Sequence, residues 1–423
     1  MNLNDLKKFL VEFEKRPRIC SILYDGRSGS VFLQSLLDDH PDVSTFPATA
    51  LMGGARGRHI NEMLAMVAES SWEQLGEEFV RRYPVVFDSS DDTTNCRLNE
   101  LGSEKNEKIL VDQQRFLSAW LGLTRELPRT ARMFFIAIHI AYEVAKQRPI
   151  NNNLLIVHAM HTPEPNMEAI CKTFPEQKII LMTREPLDTF NSHYKSHINV
   201  FHAENPGKNF WDLEQSINYP LDIFMNIFTS YKNIKNYVAN HDLIRALKLE
   251  DIHANAERTM SRVAEWLEIP YHKNLHSSSF GGKTHWGDIS IHHRTGPANK
   301  KMSYEHSKDY FENDAKILFT LTKQRYLNYE YPKPFAQELS HREFLECVKT
   351  PSAWECELIC ARQKCSTQEA LRYILNMQNI SWVERILKRK TKANLLERVI
   401  QQRATFAIKI FNNKHEEINI KVI

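Results

Sequence analysis

The stretch from Ile19 to Pro41 constrains this chain more than any other. An apolar run, Ile19 to Tyr24, breaks at Asp25-Gly26. A helical pattern opens at about Ser30, with Val31, Phe32, Leu36 and Leu37 mostly on one side, and Pro41 ends it. A strand, a short glycine-containing loop and a helix N-terminus together make an anion site. First-turn backbone N–H groups lack partners inside the helix, and the helix dipole adds to their pull. Arg27 supplies a fixed charge and a planar donor fork suited to phosphate. The loop Arg27-Ser28-Gly29-Ser30-Val31 therefore reads as a phosphate cradle. It departs from the nucleoside-triphosphatase loop, which needs a Lys after its last Gly and then a hydroxyl for magnesium. Here Arg27 precedes Gly29, and Val31 stands where a second hydroxyl is often found. Taken alone, the segment is equally an ordinary strand-to-helix turn with a surface Arg.

A second segment has the same grammar. Lys178 to Met182 is an apolar run between Pro175 and Arg184-Glu185-Pro186, as a buried parallel strand reads. Leu187 to Tyr194 then reads as a helix with Pro186 at its start. Arg184 falls at the strand's carboxyl end and Ser192 about two turns into the helix, both toward the crevice where α/β sheets bind ligands. The order basic residue, Ser, Gly, Ser, helix and His-Pro at residues 27–41 resembles the first nucleotide loop of sulfotransferases. The strand, Arg184, a Pro turn and Ser192 resemble the family's 3′-phosphate motif. The resemblance implies 3′-phosphoadenosine 5′-phosphosulfate as co-substrate. Residues 27–31 would hold its 5′-phosphosulfate, and Arg184 with Ser192 its 3′-phosphate.

Further stretches fit the same family more loosely. Leu247 to Ile252, then Glu257 to Trp266, resemble its Glu-Asp-Leu strand end and following helix. The stretch Ser279 to Asp288 holds Gly281-Gly282, Lys283 and Trp286 where relatives place a loop over the nucleotide. Gly282 would allow close backbone approach and Lys283 would add charge, while Arg294-Thr295-Gly296 is a rival for that role. Glu250 and Asp251, read as strand neighbours, point to opposite faces and so have a structural role.

Sulfuryl transfer needs a base for the acceptor proton, positive charge at the leaving oxygens, and exclusion of water. Leu154 to Pro163 reads as another strand entering the crevice. Its end resembles the Lys-Thr-His-hydrophobic-Pro sequence whose His is the family's base. His161 lies 23 residues before Arg184, near the family spacing, but Ala159 stands at the family's Lys position. His158 is the rival, and an odd separation on a strand puts the two on opposite sides. Arg27 would also act on the leaving charge. No Glu follows Pro47, where tyrosylprotein and several other sulfotransferases carry an acid. Met52, Gly53, Gly54 and Arg56 sit where an acceptor would be lined.

With 42% hydrophobic and 25% charged residues in 423, the chain has material for a large core. Its formal charge of +3 does not point to a nucleic-acid binder. Met1 to Arg18 is amphipathic without a long apolar core, and no run approaches the roughly 18 apolar residues of a membrane span. A cytoplasmic protein is expected. Seven cysteines, Cys20, Cys96, Cys171, Cys347, Cys356, Cys360 and Cys365, match no zinc spacing and read as reduced thiols, and no metal is expected. Residues 59–148 look mostly helical with a polar loop at 88–108, and 210–237 reads as further helix.

Pro332-Lys333-Pro334 marks a boundary between a sulfotransferase-like α/β domain, 1–334, and a helical C-terminal region, 335–423. Leu371 to Ile410 is basic and amphipathic, including Lys388 to Lys392. It is a solvated face, or a contact for an oligomer or an anionic surface. The reading is an α/β protein, a parallel sheet flanked by helices, with a helical appendage. Its function would be sulfuryl transfer to a hydroxyl or amine of a small-molecule, carbohydrate or peptide acceptor. An atypical P-loop kinase and a catalytically degenerate scaffold of the same fold are the alternatives.

Overall fold

The structure is a computed structural model that describes residues 2–24, 27–48, 60–92, 96–161, 164–192, 241–287, 294–300, 312–349 and 420–423. By internal contacts the chain forms two compact units. Met1–Arg184, Asn233–Met302 and Ile420–Ile423 make the first, and Glu185–Lys232 with Ser303–Asn419 the second. The sequence boundary at residue 334 falls inside the second unit. The predicted helix at 210–237, Met52 to Arg56, the basic Leu371 to Ile410 stretch, Cys356, Cys360 and Cys365 lie outside the described residues.

The first unit is built on strands β1 (Ile19–Tyr24), β2 (Val43–Ser44), β3 (Leu155–His161), β4 (Lys178–Thr183) and β5 (Ile244–Lys248). Its helices are α1 (Leu3–Lys15), α2 (Ser30–Leu37), α3 (Ile60–Met66), α4 (Trp72–Arg82), α5 (Pro84–Phe87), α6 (Gln113–Thr124), α7 (Ala131–Ala145), α8 (Glu164–Thr173), α9 (Leu249–Ala254) and α10 (Ala256–Leu267). A two-stranded hairpin, β6 (Ser279–Phe280) and β7 (Lys283–Thr284), follows. The sheet order is β2-β3-β1-β4-β5, and every pairing in it is parallel. The apolar runs read as buried strands are β1, β3 and β4, because a sheet covered on both faces leaves no polar side to alternate with.

One face of the sheet packs Cys20, Ile22, Val157, Ile180, Met182 and Leu247 against Leu33, Leu36 and Leu37 of α2 and Met260 and Val263 of α10. The other face carries α7, whose residues from Met133 to Glu143 are all buried. A helix apolar around its whole circumference has to sit inside a core. Its buried Glu143 accepts from the Ser44 hydroxyl at 2.9 Å and lies 3.3 Å from Lys146 and 3.5 Å from Arg148, which offsets the cost of burying charge. On the open edge of β5, Val422 pairs in parallel with Ala246. Ala246 N–H donates to Lys421 O and Ile423 N–H to Ala246 O, each at 2.9 Å, so that edge is covered.

In the second unit, residues 186–192 are helical with Pro186 at the first position. Helices α11 (Glu312–Asn328) and α12 (His341–Lys349) belong to the same unit. The Tyr326 hydroxyl donates to the Glu185 carboxylate, and Thr320 Oγ1 accepts from Leu339 N–H at 2.9 Å. Ser340 and Glu343 exchange the bonds of a capping box at the start of α12. Among the described residues no helix is long and apolar enough to cross a membrane.

Candidate active site

Strand register decides where the chemistry can gather. Tyr24 pairs with His161 of β3 and Met182 of β4, and Thr183 pairs with Lys248 of β5. The carboxyl ends of β1, β3, β4 and β5 therefore finish level. The chain crosses from β3, on one side of β1, to β4 on the other, which is a topological switch point. The loop before α2, Arg184 and the start of α9 all emerge at that end.

The loop turns through left-handed backbone at Arg27, φ 71°, and Gly29, φ 91°. A side chain at Gly29 would be strained at that φ, and its Cβ would lie 2.5 Å from Cδ1 of Leu249, the first residue of α9. Leu33 N–H donates to Gly29 O at 2.9 Å, the first bond of α2. The first-turn amides of α2 thus open toward the loop, with Ser28 and Ser30 buried beside them. Val31 is half-buried and packs on Ala48, Cys96, Leu98, Leu101, Ile109 and Phe280, so its side chain belongs to a small apolar cluster.

Half-buried Arg184 approaches the same loop, with Nη1 3.5 Å from the Arg27 carbonyl oxygen. Near it, on α9, lies His253, which sequence reading did not single out. Its ring stacks on Phe32 of α2, centroids 5.0 Å apart and planes at 17°. Its Nδ1 accepts from Ala298 N–H at 3.1 Å. Burial first, then the charges of Arg294 and Arg184, push His253 down to about 4. The imidazole is therefore neutral at pH 7 with two guanidinium groups in its surroundings. Arg294 itself is exposed. The charges of Arg184 and Arg294 thus act on one ring, and Arg184 also approaches the loop that carries Arg27 and leads into α2.

The two histidines of β3 separate. His158 is in register with Ser21 and bonds its hydroxyl through Nε2 at 2.8 Å. Ser21 also donates to Gln177, and the His158 ring meets Phe135 of α7 edge-on at 5.1 Å. Burial pushes His158 down to about 3. It sits inside the α7-face core. His161 is the last residue of β3, at its carboxyl end.

Gly282 and Lys283 stand elsewhere than expected. Gly281, φ 60°, and Gly282, φ 72°, make the two-residue turn of the β6–β7 hairpin, as a type I′ turn requires. Gly282 N–H donates to Asp38 Oδ2 at 3.0 Å, and the Ser279 hydroxyl to the same oxygen at 3.3 Å. Asp38 caps the carboxyl end of α2, an eight-residue helix, so this contact is about 12 Å from the loop at 1.5 Å per residue. Lys283 pairs with Glu107 at 2.5 Å. The paired glycines serve hairpin geometry at the wrong end of α2 for a nucleotide phosphate. Of the two rivals, Arg294 is the one whose charge acts, with that of Arg184, on His253.

Glu250 and Asp251 are in the first turn of α9 and not on a strand, so the alternation argument about them does not apply. Ser192 is half-buried on the helix 186–192 of the second unit, whereas Arg184 ends the first unit. Among the described residues no three His, Cys, Asp or Glu side chains gather as a metal site would require. Cys20, Cys96, Cys171 and Cys347 are free thiols, and burial pushes Cys20 up to about 12 and Cys171 up to about 11.

A model of the sulfotransferase family matches residues 25–273. The chain is similar to a solved sulfotransferase domain from the curacin biosynthetic pathway, at 16% identity and a TM-score of 0.37, covering 75% of this chain and 99% of that one. It is also similar to a sulfotransferase domain from the Synechococcus PCC 7002 olefin synthase, at 14% identity and a TM-score of 0.37, covering 75% of this chain and 95% of that one. No curated protein sequence matches.

Proposed function

Because the chain belongs to the sulfotransferase family, a match that spans its loop, strands and helices from residue 25 to 273, we propose that it moves a sulfuryl group from 3′-phosphoadenosine 5′-phosphosulfate to a hydroxyl or amine. The observation that carries this reading is the convergence of Arg27, Arg184 and the α2 N-terminus at the level ends of β1 and β4. Two phosphate-bearing ends of one nucleotide need two clusters of positive charge, and a lone phosphate loop would not.

In this reading Arg27 and the N–H groups of residues 28–31 bind the 5′-phosphosulfate. They also stabilise the charge that develops on the bridging oxygen as the sulfur–oxygen bond breaks. Arg184 and Arg294 take the 3′-phosphate, and fixed guanidinium forks suit that task better than flexible ammonium groups. His161, at the end of β3, takes the acceptor proton as the acceptor oxygen or nitrogen attacks sulfur in line. His158, buried and driven to about 3, is a poor base at neutral pH. Positioning and electrostatics contribute most in such a displacement. The acceptor, a small molecule, carbohydrate or peptide, would meet the parts of the chain between β2 and β3. A cytoplasmic location and an oligomer or surface contact through residues 371–410 belong to the same proposal.

Calorimetry with 3′-phosphoadenosine 5′-phosphate, ADP and ATP tests it. The expected result is preference for the 3′,5′-bisphosphate that disappears in Arg184→Ala. Tighter ATP binding would favour the kinase alternative and sink this reading. An acceptor screen then compares His161→Ala with His158→Ala. Loss of turnover only in the first is expected. Binding without turnover toward any acceptor class would instead favour the scaffold.

A further inference from the structure

We propose that His253 is a positioning residue, holding the 294–300 segment, and with it Arg294, in register with α2 through one imidazole acceptor and one backbone carbonyl. The inference rests on reading this end of the sheet as a bisphosphate clamp. His253 Nδ1 accepts from Ala298 N–H at 3.1 Å, and the His253 carbonyl accepts from Lys300 N–H at 2.9 Å. Two bonds that hold the later half of the segment thus end on a single residue. The earlier half is held by Ser278 N–H donating to Thr295 O at 2.7 Å. Gly296 adds a close approach there, since a Cβ would lie 2.5 Å from the His276 carbonyl oxygen.

The ring's orientation is set from its other side. Phe32, in the first turn of α2, stacks on it at 5.0 Å, so turning the imidazole away from Ala298 also breaks the stack. Accepting at Nδ1 puts the proton of the neutral ring on Nε2. A doubly protonated ring has no acceptor left and would release Ala298. Burial with the Arg184 and Arg294 charges keeps the ring neutral at pH 7, so the acceptor is available. Phe32, His253 and Ala298 therefore link the phosphate-loop helix to the segment that carries Arg294. This role needs no contact between His253 and the nucleotide.

The test measures affinity for 3′-phosphoadenosine 5′-phosphate relative to adenosine 5′-phosphate on the full chain. His253→Ala is expected to cut that preference about tenfold, the scale of a lost buried hydrogen bond plus freed backbone. His253→Asn, whose Oδ1 stands close to the position of Nδ1, should recover most of it. In an Arg294→Ala background, His253→Ala should cost nothing further. Hydrogen exchange at the Ala298 amide should be fast in His253→Ala and slow in His253→Asn. If His253→Ala does not fold, Ala298→Pro removes the donor instead and should reproduce the tenfold loss. An unchanged preference in His253→Ala, or no recovery in His253→Asn with full additivity to Arg294→Ala, overturns the proposal. If Arg184→Ala and Arg294→Ala both leave bisphosphate affinity unchanged, the clamp reading itself fails and this proposal falls with it. A loss in those two variants without one in His253→Ala refutes the positioning role alone.

Discussion

On the α7 face of the sheet, His158 lies among Phe135, Ser21 and the buried His139, while on the α2 face His253 lies between Phe32 and the 294–300 segment. Both imidazoles are driven neutral, to about 3 and about 4. The causes differ. Burial alone accounts for His158, whereas His253 also feels Arg294 and Arg184. Desolvation is the larger cause in both cases, and only in the second do neighbouring cations add to it. Only the second brings two guanidinium charges to bear on one ring, as an anion site at this end of the sheet would.

The contrast can be broken in several ways, and the first concerns His158. Its folded pKa of about 3 lies below an unfolded value of about 6.5. The unfolded chain therefore binds more protons between those values, and stability falls as pH drops through that window. Full titration of His158 is worth about 5 kcal/mol, with His139, also driven down by burial, acting in the same direction. Urea midpoints at pH 7 and pH 5 should lie closer together in His158→Gln than in the wild type, and an unaltered pH slope would refute the assignment. Next in size, Arg184→Ala should weaken 3′,5′-bisphosphate binding roughly 10- to 100-fold, the worth of a charge-assisted phosphate contact. An unchanged dissociation constant would remove the α2 face from consideration.

Asp38→Ala tests the far end of α2. It leaves Gly282 N–H without its acceptor and the Ser279 hydroxyl with only the Ser35 carbonyl at 3.5 Å, and should cost about 1–3 kcal/mol of stability in urea unfolding. Bisphosphate affinity should stay within about twofold of wild type, because stability and binding are carried by opposite ends of the helix. A binding loss matching that of Arg184→Ala would contradict this separation. Smallest of all, Lys283→Ala breaks a partly exposed pair with Glu107 and should change stability by less than about 1 kcal/mol. A tenfold drop in nucleotide affinity for this variant would return Lys283 to the phosphate site.

Much of the fold was legible because its signals are local. Ile19 to Tyr24 and Lys178 to Met182 are short apolar runs bounded by turn residues, and they are β1 and β4. Ser30 begins α2 where the pattern changes, and Pro186 opens the next helix. Arg27, Gly29 and Arg184 could be placed at the carboxyl ends of strands because each follows such a run closely. Gly281-Gly282 misled because paired glycines serve a tight hairpin and a ligand approach equally well, and only their φ values with the Asp38 contact tell the two apart. Glu250 and Asp251 misled because β5 ends at Lys248, before them, and the α9 helix begins at once. His253 gave no local sign at all. Its partners are Phe32 and Ala298, and long-range contacts leave no periodicity in the chain around it.

By itself, then, the sequence determined the strand–loop–helix units, the parallel α/β class and the family to which the chain belongs, since apolar runs, turn residues and helix starts act over a few residues. Tertiary structure alone decided which cations share one end of the sheet, which β3 histidine is sealed in the core, and which segment His253 holds. Those outcomes depend on strand order, on register and on the side of the sheet each residue faces. Such quantities are set by packing between distant segments, and no short window of sequence contains them.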